Sequence, residues 1–257
     1  MELTGATVLV TGGGKRLGAA LAAMMARQGA NVAIHHHHSH EEAQALVEAL
    51  QGETAAAGRP ARLTALAADL ADPIQAAELL DRARERLGPV SVLLNSAAIF
   101  EPGTVRESSL DHWNRHLALN LTAPFLLMQA FARQPEMTDP AGGAGTRGVV
   151  INGLDERILH PRPGHLAYTV AKEGLWSLTR LAAQELAPTI RVNAVAPGPI
   201  LPAPDDPDGV RFAKVAAAVP LGRGGTPEEV VAAVLFLLQH DYLTGQMICV
   251  DGGRHLT

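Results

Sequence analysis

Short runs of aliphatic and β-branched residues alternate along the chain with longer Ala- and Leu-rich segments at helical spacing. The runs "ATVLV" (6–10), "NVAIH" (31–35), "RLTAL" (62–66), "VSVLL" (90–94), "GVVIN" (148–152), "IRVNAV" (190–195) and "QMICV" (246–250) read as strands. Between them the pattern predicts helices near 16–28, 41–57, 73–87, 110–133, 166–187 and 227–239. Strands that are apolar throughout, rather than alternating, belong to a parallel sheet covered on both faces. The alternation shows neither a domain boundary nor a short repeat, so an α/β architecture with one domain over 1–257 is expected.

Two segments interrupt the rhythm. "QPEMTDPAGGAGTRG" (134–148) reads as an exposed, mobile loop. "PGPILPAPDDPDG" (197–209) follows the sixth strand. It therefore lies at the carboxyl edge of the sheet, where open α/β folds bind ligands.

Composition narrows the class. Hydrophobic residues make up 47% of the 257 residues and charged residues 18%, which suits a globular enzyme and not a disordered chain. A net charge of -5 without a basic run argues against nucleic acid. One cysteine, Cys249, excludes an intrachain disulfide. No apolar run is long enough to span a membrane, and "MELTGATVLV" lacks the basic flank of a signal peptide, so a cytoplasmic protein is expected.

Candidate chemistry starts at the first strand. "VLVTGGGKRLGAALA" passes from strand through Gly12, Gly13 and Gly14 into a helix, a turn that lets backbone N–H groups meet a phosphate. The second strand ends in "HHHHSHEE", with no acid before Glu41. An acid at that position selects NAD by binding the ribose hydroxyls. Here His37, His38 and Ser39 offer donors, and Lys15 and Arg16 add charge, so an NADP(H) site is expected. Adjacent histidines in an extended segment point alternately to opposite faces, which suits chelation poorly, and no metal site is expected. Asp69 either accepts from an adenine amino group or caps a helix. "NSAA" (95–98) supplies small residues where backbone passes close to a cofactor.

Tyr168 and Lys172 share a helix face at i and i+4, and Asp155 lies thirteen residues before the tyrosine. Together with "TGGGKRLG", "NSAA", Asn120 in "ALNLTAPF", "YTVAK", "RVNAVAPGP" and "TGQMICVDGG", these residues resemble the short-chain dehydrogenase/reductase family over essentially the whole chain. The resemblance implies a Rossmann fold with a seven-stranded sheet and hydride transfer from a nicotinamide. Its cofactor contacts fall on Gly12, Lys15, Arg16, Leu17, His37, His38, Ser39, Asp69, Leu70, Asn95, Ser96, Ala97, Lys172, Pro197, Gly198 and Ile200. It assigns catalysis to Asn120, Asp155, Tyr168 and Lys172, with Lys172 lowering the tyrosine pKa and Asn120 holding a proton-relaying water.

Two departures from the family pattern, with one aromatic position beside them, carry information. Arg16 replaces the middle glycine of the turn, Asp155 replaces the serine, and Phe100 follows "NSAAI". This combination resembles the pteridine reductase subgroup and implies substrate contacts from Arg16, Phe100, Asp155 and Tyr168. An ionised carboxylate only accepts hydrogen bonds, so it suits the N–H groups of a pterin better than a carbonyl oxygen. Ile200 and Leu201 stand where many members carry a carboxamide-binding threonine. A carbonyl reductase is the alternative enzyme, and a non-catalytic cofactor-binding scaffold the alternative outside enzymes. "WSLTRLAAQELA" (176–187) has an apolar face suited to a helix–helix interface or to core burial, and the family implies a homotetramer.

Overall fold

A computed structural model of the protein describes residues 1–138, 145–203 and 205–257. Its strands are β1 (Thr7–Val10), β2 (Asn31–His36), β3 (Leu63–Ala67), β4 (Val92–Asn95), β5 (Gly148–Gly153), β6 (Ile190–Pro197) and β7 (Met247–Val250). They form one parallel sheet in the order β3-β2-β1-β4-β5-β6-β7. The helices are α1 (Arg16–Arg27), α2 (His40–Ala56), α3 (Pro73–Leu87), α4 (Leu110–Leu117), α5 (Ala123–Ala132), α6 (Pro135–Thr138), α7 (Leu166–Glu185), α8 (Val210–Ala217) and α9 (Pro227–Gln239).

Successive strand residues point to opposite faces, and each face has its own core. Val8, Val10, Val92 and Ile151 pack against Leu21 and Met25 of α1, Val47 of α2 and Leu237 of α9. Leu9, Leu93, Val150 and Val192 pack against Leu79 and Leu80 of α3, Leu127 and Phe131 of α5 and Leu175 of α7. Burying each such side chain contributes roughly 1.5–3 kcal/mol. The strand order reverses between β1 and β4, which opens a crevice at the carboxyl ends of the strands there.

Three details differ from the expected elements. The helix expected over 110–133 divides into α4, a π-helical turn over Ala118–Thr122, and α5. Pro124 causes this, because it has no N–H for the carbonyl of Asn120 and its ring crowds that carbonyl. Of the expected loop over 134–148, residues 135–138 form α6, and 139–144 lie outside the described residues. Helix α8 was not expected from the sequence. Asp206 caps it, its carboxylate accepting from Arg211 N at 3.2 Å and Phe212 N at 2.8 Å.

Candidate active site

The glycine turn is set by backbone geometry. Gly12 adopts φ +62, and a Cβ there would lie 2.9 Å from Ala97 Cα. A Cβ on Gly18 would lie 2.1 Å from Gly12 O, so α1 packs directly on the turn. Arg16 has φ 54, the sole positive value at a non-glycine among the described residues. That is the conformation a glycine adopts freely, at the position where the family pattern has one. Thr11, which the sequence reading passed over, joins β1 to β4. Its Oγ1 accepts from Ser96 N at 2.9 Å and Ala97 N at 3.0 Å.

His35 braces the turn from behind. Gly12 N donates to its Nδ1 at 3.0 Å, so Nε2 carries the proton toward Ala68 O at 3.1 Å. Burial pushes its pKa down to about 4. This strand residue is a neutral strut, and its place beside the turn was invisible in the histidine run.

The residues expected near a 2′-phosphate divide into two groups. Lys15 Nζ lies 2.5 Å from Glu42 Oε1 in an exposed pair. Arg16 turns away from the end of β2, and its Nη2 donates to Pro202 O at 2.6 Å across the crevice. Arg16 thus bridges the crevice to the segment after β6. The rings of His37 and His38 lie with centroids 3.6 Å apart, tilted by 30°, next to Ser39 at the head of α2. Asp69 does not cap α3; Asp72 does, accepting from Ile74 N. Asp69 Oδ1 instead accepts from Ala71 N at 2.9 Å, and Oδ2 lies 4.0 Å from His37 Nε2. Leu70 is buried beneath it.

A cleft of about 270 Å³ lies at the strand ends, and Arg16, Leu17, Asn95, Ser96, Asp155, Tyr168, Lys172, Pro197, Gly198 and Ile200 all line it. Asn95 Nδ2 donates to Asn152 Oδ1 at 2.8 Å, while its own buried Oδ1 has no partner among the described residues. A cleft with small residues, a glycine turn and an orphaned acceptor fits a dinucleotide's nicotinamide end.

The catalytic candidates meet at the floor. Asp155 Oδ1 accepts from Arg157 N at 2.8 Å and caps a 3₁₀ turn over Glu156–Ile158, which fixes the carboxylate. Tyr168 Oη donates to Asp155 Oδ2 at 2.8 Å. Lys172 Nζ donates to Gly153 O at 2.6 Å. Burial, and then the Asp155 carboxylate, push the Tyr168 phenol well above its ordinary value. The expected lowering by Lys172 is not found, because the lysine binds a carbonyl and the carboxylate holds the phenol proton. Burial pulls Lys172 down to about 8 against the attraction of Asp155.

Asn120 is fully buried, and its side chain clamps Ile99, accepting from N at 3.2 Å and donating to O at 3.1 Å. Its amide is therefore structural. Phe100 stands at the rim, 48% exposed. It stacks on His165 with centroids 3.8 Å apart and meets the Tyr168 ring edge-on at 4.7 Å. No periodicity pointed to His165.

The family model described as enoyl-(acyl carrier protein) reductase matches residues 14–255. The chain belongs to the short-chain dehydrogenase/reductase family. It is an oxidoreductase, and this short-chain family uses a nicotinamide cofactor. Relatives include a 3-oxoacyl-[acyl-carrier-protein] reductase of Thermotoga maritima, 31% identical over 98% of this chain and 99% of its own. Among solved structures, FolM alternative dihydrofolate reductase 1 from Brucella canis, complexed with NADP, superposes with a TM-score of 0.87. It is 33% identical and covers 100% of this chain and 97% of its own. A blue fluorescent protein from a metagenomic library, in complex with NADPH, gives a TM-score of 0.85 at 34% identity, covering 98% of this chain and 99% of its own. Among the described residues no helix of this short-chain reductase is long and apolar enough to cross a membrane.

Proposed function

We propose that this protein is an NADPH-dependent pterin reductase, reducing a ring C=N of a dihydrobiopterin-, dihydromonapterin- or dihydrofolate-like substrate. The observation that carries the reading is the Tyr168–Asp155 pair at 2.8 Å. A carboxylate stands where a carbonyl reductase has a hydroxyl donor, and it accepts from the ring N–H groups of a pterin. Exposed Phe100 beside the phenol gives a flat ring a surface to stack on. Arg16, reaching Pro202 O across the cleft, closes the far side. The similarity to an NADP-bound alternative dihydrofolate reductase supports the same substrate class.

The bound cofactor supplies the hydride to the ring carbon. The protein supplies the proton to the ring nitrogen. Asp155 and Tyr168 deliver it together: burial and Asp155 keep the phenol protonated, and the proton shared between Tyr168 Oη and Asp155 Oδ2 passes to the ring nitrogen. Lys172 holds the nicotinamide ribose. His37, His38 and Ser39 receive the 2′-phosphate, joined by Lys15 when it leaves Glu42, an exposed pairing that contributes little. The enzyme works in the cytoplasm as a homotetramer.

The second reading is a carbonyl reductase, favoured by the 3-oxoacyl reductase relative. The two separate at Asp155. Steady-state NADPH oxidation is measured with dihydrobiopterin, dihydrofolate and a small ketone, for wild type and Asp155→Ser. Pterin turnover should dominate in the wild type and fall by about 10²-fold or more in the variant. A wild type inert toward both pterins, or a serine variant with improved ketone turnover and unchanged pterin turnover, favours the carbonyl reductase.

A further inference from the structure

Behind the Phe100–His165 wall lies a cluster that the cleft does not use. His112 and His116 stand one turn apart on α4, their ring centroids 4.3 Å apart. Glu101, from the segment after β4, closes the third side. One ligand atom from each of the three lies within 4.8 Å of the other two.

The hydrogen bonds prepare the His116 imidazole as a ligand. Nδ1 of the fully buried His116 lies 2.9 Å from His112 O, and its Nε2 lies 3.3 Å from Glu101 N. Only the Nδ1–H tautomer satisfies both, so Nε2 presents its lone pair. A backbone carbonyl holding the far ring nitrogen is the usual arrangement for a metal-binding histidine. His112 has both ring nitrogens buried without a hydrogen bond among the described residues, and its Nε2 lies 4.0 Å from Glu101 Oε2. Buried imidazole nitrogens are normally satisfied, and these two wait for something.

We propose that Glu101, His112 and His116 bind one divalent ion of the zinc class. Two neutral imidazoles and a carboxylate are a common donor set for such an ion, with water completing a tetrahedron. Ligand atoms on a tetrahedral ion with bonds near 2.0–2.1 Å stand about 3.3 Å apart, so the cluster must contract by somewhat over 1 Å at its widest. Glu101 can make that move, being 41% exposed at its side chain. Its Oε2 must first release Arg115 Nη2 at 2.9 Å, and Asp111, with Oδ2 3.5 Å from Arg115 Nε, offers that cation another partner. His116 must likewise give up its long bond from Glu101 N.

The ion braces the wall and takes no part in the chemistry. Glu101 O accepts from His165 Nδ1 at 3.1 Å, and His165 carries Phe100. The contiguous histidine run at the end of β2 is the competing ligand set, and the experiment must tell the two apart.

Chelator-treated protein without a purification tag is dialysed against Zn²⁺ and its metal content measured, with Co²⁺ absorption as a probe of coordination geometry. The expected result is one ion per chain and a tetrahedral Co²⁺ spectrum. His112→Ala and Glu101→Gln, both with wild-type circular dichroism, should each weaken Zn²⁺ binding at least about tenfold. Arg115→Gln should tighten it by releasing Glu101. A His37→Ala, His38→Ala double variant should bind as the wild type does. A wild type that binds no Zn²⁺ at micromolar concentration overturns the proposal. So does binding that survives His112→Ala and Glu101→Gln, or is lost only in the double variant.

Discussion

At the scale of single residues, the site separates the proton that must be given from the charge that must be held. Tyr168 donates to a carboxylate inside the fold, so its phenol stays protonated through the neutral and moderately alkaline range. Lys172, at about 8, is the group that titrates there. A lysine lowered by burial is charged below about 8 and neutral above it. NADPH affinity should therefore weaken as pH rises through about 8. Fluorescence titrations of wild type and Lys172→Met measure this, and the inflection should vanish in the variant. An inflection that persists without Lys172 would assign it to another group. Tyr168→Phe should keep the inflection in binding while lowering turnover by about 10²–10⁴-fold, since the variant loses only the proton donor.

At the scale of elements, the glycine turn depends on the strand beside it, β2. His35 accepts from Gly12 N only while neutral, and its pKa of about 4 lies below the ordinary 6.5. Between those values the unfolded chain binds the proton and the native one does not. Stability should therefore fall as pH drops through 6.5 and level off below about 4, by up to about 3 kcal/mol. Urea unfolding at pH 7 and pH 5 should show a smaller loss for His35→Gln, which cannot titrate; an equal loss would place the proton uptake elsewhere. The strands and long helices were legible because fully covered parallel strands and amphipathic helices write their burial into local sequence. The convergence of Asp155, Tyr168 and Lys172 was legible through spacing and resemblance. The break at Asn120 was written in Pro124, but a strong apolar pattern on both sides hid it. Helix α8 was hidden because its cap, Asp206, sits in a segment that reads as a turn. The directions of Arg16 and Lys15 were not legible at all, since long charged side chains choose partners across the fold, Pro202 O and Glu42.

At the scale of the whole molecule, α7 has two apolar faces and one sheet to cover. Ala182 and Ala183 pack into the core and Trp176, Leu178 and Leu186 pack against it, which is the burial reading of the 176–187 segment. Leu181 remains 56% exposed and Phe125 of α5 42% exposed, beside a groove of about 440 Å³ lined by both helices. Large apolar side chains left outward on adjacent helices suit an isologous contact, in which the same patch of a second copy covers them. In a tetramer with dihedral symmetry each chain uses two such contacts, and destroying one leaves dimers held by the other. Leu181→Asp combined with Phe125→Asp places two charges in the groove. Light scattering behind size exclusion should then give a mass of four chains for the wild type and two for the double variant, with near-ultraviolet circular dichroism unchanged. Four chains in the variant would put the assembly surface elsewhere, and one chain in the wild type would leave this face to the solvent.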